Sequence, residues 1–462
     1  MAFYSAIRVR PFDPDPERTE EEVAAVRLGC TFDELKLGVT RVSYVGEDLT
    51  EEGKQTALVN TVWWSGRHWE KFPKVVHDDG EWIEAQPVAE QSDCFDWAVA
   101  RGALQVLLGE HRGDGTTFGA EDEAWGEAKD VVLLAHTVQN TGAEFTVFGN
   151  APWTDANMGI FPRLVKALLS EASATHSLKL KVFQQVEGMI WDLLCETDGD
   201  GDGGDDDAHP GRGSGGVEGA DNPRRIAESL DTVPGTLKTK EICWLDAVPL
   251  ESWDDFVEAF DVVQANARAS TTTYNDAALH GHIFYEVEVV SNETGDSHSL
   301  FAVRLVADPL QLDVELVRSD EALRGYGITR ESAAATYEAE HPNELKALRR
   351  RALACNMSVN DLGDLCESFV GATHKKSVLA GGRVWAGKAF RQRYECFPAT
   401  FLKERIYHSL TLLVGAIRPE AESHREMINT LKYFKRVFAR PCEQFIGAYA
   451  ADGAGKEGEE EE

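Results

Sequence analysis

Residues 130–162 read DVVLLAHTVQNTGAEFTVFGNAPWTDANMGIFP. The run VVLLAHTV is rich in strand formers and predicts a strand. FPRLVKALLSEA (161–172) then has helical spacing. Working outward, FYSAIRVRPF (3–12) and TALVNTVWW (56–64) also read as strands, and CFDWAVARGALQVLL (94–108) as a helix. Further on, HGHIFYEVEVVSN and SLFAVRLVAD, joined across NETGDSH, predict a β-hairpin. NPRRIAESL (222–230) opens like a helix, with an Asn cap followed by Pro. From about 319 to 449 the pattern is helical throughout, including FLKERIYHSLTLLVGAI (401–417) and SHREMINTLKYFKRVFARP (423–441). No internal repeat is present.

The chain has 462 residues, 43% of them hydrophobic, enough for two or three domains with real cores. No apolar run reaches the roughly 18–20 residues of a membrane span, and the N-terminus lacks an apolar leader segment. Eight scattered cysteines without a CxxC pair point to reduced thiols, hence a cytoplasmic or nuclear setting. The formal net charge is −33, yet residues 343–442 carry 18 Lys and Arg against 9 Asp and Glu, so this +9 segment leaves −42 for the remainder. A basic segment in an acidic chain suits contacts with phosphates.

TDGDGDGGDDDAHPGRGSGGVEGADNP (197–223) has no apolar face and reads as a solvated linker. Asp198, Asp200, Asp202 and Gly203 match the start of a calcium loop, but His209 stands where a bidentate Glu belongs and Asp205 where an apolar residue belongs. The expected organisation is a mixed α/β region over 1–125, a second region over 126–196, the linker over 197–223, a connector with a hairpin over 224–318, a helical domain over 319–449 and an acidic tail over 450–462.

NDLGDLCESFVGA (360–372) places Asp364 and Glu367 three apart, on one face of a helix whose Leu362, Leu365, Phe369 and Val370 are apolar. The stretch resembles the second signature of ribonuclease III. The resemblance implies that Asp364 and Glu367 are catalytic and hold Mg²⁺ or Mn²⁺; phosphodiester hydrolysis uses a hard cation on carboxylates to activate water. Asp320 and Glu321 stand near the place of the first signature's acids, while Tyr326 replaces its Asp. HPNELKALRRRALACN, upstream, resembles the stretch joining the two signatures.

Residues 130–162 also resemble the strand-turn-strand of PAZ domains, which implies that Phe145, Phe148 and Trp153 stack on an RNA end. FPKVVHDDGEWIEAQPV and KTKEICWLDAVPLESW resemble the segments that flank that domain in Dicers, in the same order. Arg349, Arg350, Arg351, Lys375, Lys376, Arg391, Arg393, Lys432, Lys435 and Arg436 are then candidates for tracking RNA phosphates. A different constellation, Cys94 at a helix start with His282 opening a strand, resembles papain-like deubiquitinases, in which a distant histidine activates a thiolate at a helix N-terminus.

The expected fold is therefore α+β: an N-terminal mixed α/β region with a PAZ-like small barrel, and a mostly α-helical ribonuclease III-like C-terminal domain. The expected function is Mg²⁺-dependent processing of double-stranded RNA in the manner of Dicer, with a homodimer or a second ribonuclease III-like chain as partner and no membrane. The alternative is an RNA-binding scaffold on a retired nuclease fold.

Overall fold

The computed structural model describes residues 2–9, 30–35, 39–44, 56–64, 75–76, 82–83, 90–109, 129–138, 141–186, 189–195, 225–226, 245–267, 269–270, 278–279, 281–307, 350, 353–367, 396–407, 409–417 and 427–437. Ten strands form its main sheet: β1 (Ala2–Val9), β2 (Thr61–Trp64), β3 (Asp130–Val138), β4 (His176–Val186), β5 (Met189–Asp192), β6 (Arg225–Ile226), β7 (Val248–Leu250), β8 (His282–Ser291), β9 (Ser297–Ala307) and β10 (Ser409–Ile417). Their order is β6-β5-β4-β8-β9-β3-β10-β1-β2, with β7 paired to β4. The helices are α1 (Gln91–Ala100), α2 (Ala103–Leu107), α3 (Ala143–Val147), α4 (Ile160–Ala172), α5 (Trp253–Asn266), α6 (353–367), α7 (Phe397–Tyr407) and α8 (427–437).

Strands β9, β3, β10, β1 and β2 run parallel. Parallel strands are covered on both faces and so read as continuous apolar runs, and β10 is buried at every position. Alternate side chains then serve opposite layers. Val131, Leu133 and Ala135 of β3 pack with Leu410 and Leu412 of β10 against α1 to α5. Val132 and Leu134 join Leu413 on the other face, beneath α6, α7 and α8.

This arrangement corrects the expected fold class. The stretch 130–162 is not part of a small barrel: β3 lies mid-sheet, and the residues after its turn form α3 rather than a second strand. Nor do the described residues of 319–449 form a separate helical domain, because SLTLLVGAI is the strand β10, inserted between β3 and β1, and α6 to α8 pack on that same sheet. A nine-residue apolar run is ambiguous by periodicity, and its partners decide it. One sheet thus draws strands from both sides of residues 197–223. At NPRRIAESL the described residues are the two-residue strand β6, paired with β5, where a helix start is expected.

Local chemistry explains several boundaries. TALVNTVWW breaks at Asn60, whose Oδ1 accepts the Ser5 amide at 2.8 Å while its own amide donates to Ser5 O at 3.0 Å, diverting the chain into β2 alongside β1. Helix α5 starts at Ser252, whose hydroxyl accepts from the Asp255 amide at 3.3 Å while Asp255 Oδ2 accepts from the Ser252 amide at 2.7 Å. The hairpin across NETGDSH pairs β8 with β9 from Ile283 to Val290.

At the start of β8 two backbones nearly touch: a Cβ on Gly281 would stand 1.9 Å from Gln185 O. Backbone cannot yield as a side-chain tip does. Gly281→Ala is therefore expected to destabilise the protein by about 2–3 kcal/mol, as overpacking does, measured by the denaturant midpoint. A wild-type midpoint would show that β4 and β8 do not meet this closely.

The register aligns Ala307 with Val138, Gly415 with His136, and Val9 with Ile417. The carboxyl ends of four parallel strands thus share one end of the sheet, where open α/β sheets place their ligands.

Candidate functional site

From β3 the chain turns through a short loop into α3 at that end of the sheet. The Thr141 hydroxyl donates to Val138 O at 2.7 Å and closes the turn. Gly142 follows with φ 93°, a left-handed conformation that glycine adopts without penalty. The connection strand, loop, glycine, helix is the setting of a phosphate-binding loop, whose pattern G-x-x-x-x-G-K-[ST] uses the Lys on phosphates and the Ser or Thr on Mg²⁺. Aligned on Gly142, this chain has Thr137 at the first glycine, Ala143 at the lysine and Glu144 at the Ser/Thr. The cation and the hydroxyl are both gone, and a carboxylate has arrived.

That carboxylate is engaged. Glu144 Oε2 forms an ion pair with Arg304 Nη2, reaching from α3 to β9, the strand beside β3. Arg304 is only 8% exposed, and its Nε is buried with no hydrogen-bond partner among the described residues. Both residues line a cleft of about 180 Å³ together with Phe148, Trp153, Phe260 and Tyr285. Burial raises the pKa of the Tyr285 hydroxyl, so it stays neutral at physiological pH. On α3 itself, Arg8 Nη1 donates to Thr146 Oγ1 at 3.2 Å and its guanidinium lies 5.7 Å from the Phe145 ring centroid, tying β1 to α3.

The aromatic candidates are therefore spent on packing. Phe148 lies 5.0 Å from Tyr285 and 5.8 Å from Phe161, centroid to centroid, and is buried. Trp153 is packed edge-on to Trp253 and Phe260 of α5. Phe145 is half-buried under Arg8.

Asp364 and Glu367 do share helix α6, with Leu362, Leu365 and Cys366 buried beside them. Asp364 Oδ1 is taken by Arg436 of α8, whose Nε donates at 2.7 Å and whose Nη2 lies at 2.6 Å; Nη1 donates to Asn360 Oδ1 at 2.8 Å. Gly363 lets α8 approach, since a Cβ there would stand 3.1 Å from Tyr433 Cε2. The Leu-Gly-Asp motif thus joins two helices. Among the described residues, no group of three or more His, Cys, Asp or Glu is gathered as a metal site would need. Arg350, Lys432 and Lys435 are exposed. Asp320, Glu321, Tyr326, Arg349, Arg351, Lys375, Lys376, Arg391 and Arg393 lie outside the described residues, as does the calcium-like stretch.

Cys94 is no nucleophile either. It is fully buried in α1, its Sγ donates to Glu90 O at 3.4 Å, and burial pushes the thiol up to about 12. His282 is held in the sheet, its Nδ1 accepting from the Val306 amide at 3.0 Å.

Glu144 and Arg304 were not among the sequence candidates. The signal that leads to them is contextual: an apolar strand, a glycine loop and a helix, with the motif's chemistry removed.

No protein-family model and no curated protein sequence matches the chain. Solved structures do. The KIF14 segment 391–755 with ADP, in complex with a microtubule, superposes with a TM-score of 0.55 at 15% identity, covering 95% of each chain. A KIF14 391–772 dimer in the two-heads-bound state with AMP-PNP, in complex with a microtubule, gives 0.56 at 14% identity, covering 95% of this chain and 93% of the other. These are kinesin motor domains, a different fold from ribonuclease III and PAZ. The Dicer-like reading is thereby overturned, together with its endonuclease activity, its double-stranded RNA partner and the RNA-binding scaffold alternative. Mg²⁺ keeps a place on this fold only as the companion of a nucleotide. The residues here do not fit that pair, because Ala143 offers no cation and Glu144 is committed to Arg304. No helix among the described residues is long and apolar enough to cross a membrane. At these identities the likeness establishes one thing, that the chain has the fold of a kinesin motor domain.

Proposed function

We propose that this chain is a microtubule-binding protein that uses the motor-domain fold without a nucleotide cycle. The observation that carries the loss of the cycle is the Glu144–Arg304 pair beside Ala143, where a phosphate loop needs Lys and Ser or Thr. Triphosphate binding uses cationic donors and Mg²⁺ to offset phosphate charge; a fixed carboxylate in their place repels it. The partner is supported by the solved neighbours, both in complex with microtubules, and by the +9 balance of residues 343–442, where an acidic polymer surface would be met. Arg350, Lys432 and Lys435, all exposed, belong to that segment.

Co-sedimentation with microtubules tests the reading, run without nucleotide, with Mg-ATP and with Mg-AMP-PNP, beside a titration with a fluorescent ADP. The expected result is one bound fraction in all three conditions and no saturable uptake of the ADP. Binding that changes with nucleotide, or microtubule-stimulated phosphate release, would overturn the loss of the cycle. A chain that stays in the supernatant at low salt would overturn the partner.

A further inference from the structure

In a working phosphate loop one Mg²⁺ draws together the hydroxyl at the helix start and an Asp on the Walker-B strand. Here the helix start and the neighbouring strand β9 are joined directly, by side chains of opposite charge. Arg304 is more than nine-tenths buried, and a buried guanidinium requires an anionic partner. Glu144 supplies it, with its side chain 37% exposed at the lining of the cleft. A guanidinium has five N–H donors, and the Nε of Arg304 remains without an acceptor, in a residue that lines the cleft. The donor capacity around Arg304 therefore exceeds what Glu144 uses.

We propose that Glu144 is a built-in occupant of an oxyanion site centred on Arg304: its carboxylate takes the position that a phosphate-type anion would take on the guanidinium, and keeps that site closed. This rests on the reading that the nucleotide site is lost, and adds the residue that closes it. Removing the Glu144 charge leaves Arg304 buried and cationic with no anionic partner among the described residues, so an external anion should replace the carboxylate.

The test is thermal unfolding of the full chain against inorganic phosphate at constant ionic strength, for wild type, Glu144→Gln and the Glu144→Gln, Arg304→Met double variant. The expected result is an apparent phosphate affinity at least about tenfold above wild type for Glu144→Gln, seen as a concentration-dependent rise of its midpoint. Wild type and the double variant should not respond. If Glu144→Gln is unfolded alone, its refolding on addition of phosphate is the same result. A folded Glu144→Gln chain indifferent to phosphate overturns the proposal, as does one that stays unfolded at every phosphate concentration while the double variant folds. Fluorescent ADP taken up by wild type would instead sink the preceding reading, so the two failures are distinguishable.

Discussion

Between pH 8 and pH 5 the buried rings of His136 and His282 are expected to withdraw about 4 kcal/mol of stability, half of it through His136. His136 sits mid-strand in β3, stacked on Tyr433 at 4.2 Å, with Phe434 edge-on and its Nδ1 without a hydrogen-bond partner. Burial pushes this imidazole from the usual 6.5 down to about 3, and His282 down to about 4. Folded, both rings are neutral above those values; unfolded, both take up a proton below about 6.5. The unfolded state therefore binds more protons through this window, so stability is full above it and falls as the pH drops. Each pH unit below 6.5 costs about 1.4 kcal/mol per ring, which gives about 2 kcal/mol for each at pH 5. Asp130, whose pKa burial raises, acts with the opposite sign. Urea midpoints measured across this range should show the slope, and His136→Leu should lose half of it. A flat profile in wild type would mean that these rings protonate within the fold.

The strands that alternate, or that run apolar between turn signals, are legible in the sequence: β1, β3 and the β8–β9 hairpin follow from composition and spacing. Two readings fail for physical reasons. β10 carries apolar side chains on both faces, since α6 to α8 cover one and α1 to α5 the other, so its residues contain no period to read. Its neighbours β3 and β1 lie hundreds of residues away in the chain, and only their pairing separates a strand from a helix. The second failure concerns the site. A phosphate loop is recognised by its glycines, its lysine and the Ser or Thr that follows, and here Thr137, Ala143 and Glu144 stand in place of the first glycine, the lysine and the hydroxyl, leaving Gly142. Asp364 and Gly363 misled in the complementary way. Their motif is present, but Arg436 and Tyr433 show that it serves the packing of α6 on α8.

Replacing Leu412 by Ala is expected to cost about 2–5 kcal/mol, and replacing Leu413 by Ala a similar amount. The two are adjacent in β10 and both fully buried, yet they belong to different cores: Leu412 packs beneath α1 to α5, Leu413 beneath α6 to α8. Only a strand covered on both faces makes neighbouring leucines equally expensive. On a one-sided helix the apolar stripe of SLTLLVGAI would be Leu410, Leu413, Val414 and Ile417, at positions i, i+3, i+4 and i+7. Leu412 would then fall outside that stripe, and its truncation would stay within about 0.5 kcal/mol, as at an ordinary surface position. The pair of variants thus separates the parallel sheet from the helical alternative without a structure determination. Equilibrium urea unfolding gives both numbers. If Leu412→Ala keeps the wild-type midpoint while Leu413→Ala does not, β10 is not the central strand, and the likeness to a motor domain fails with it. If both fall, the sheet that carries β3, β9 and the Glu144–Arg304 pair is secured from its middle outward.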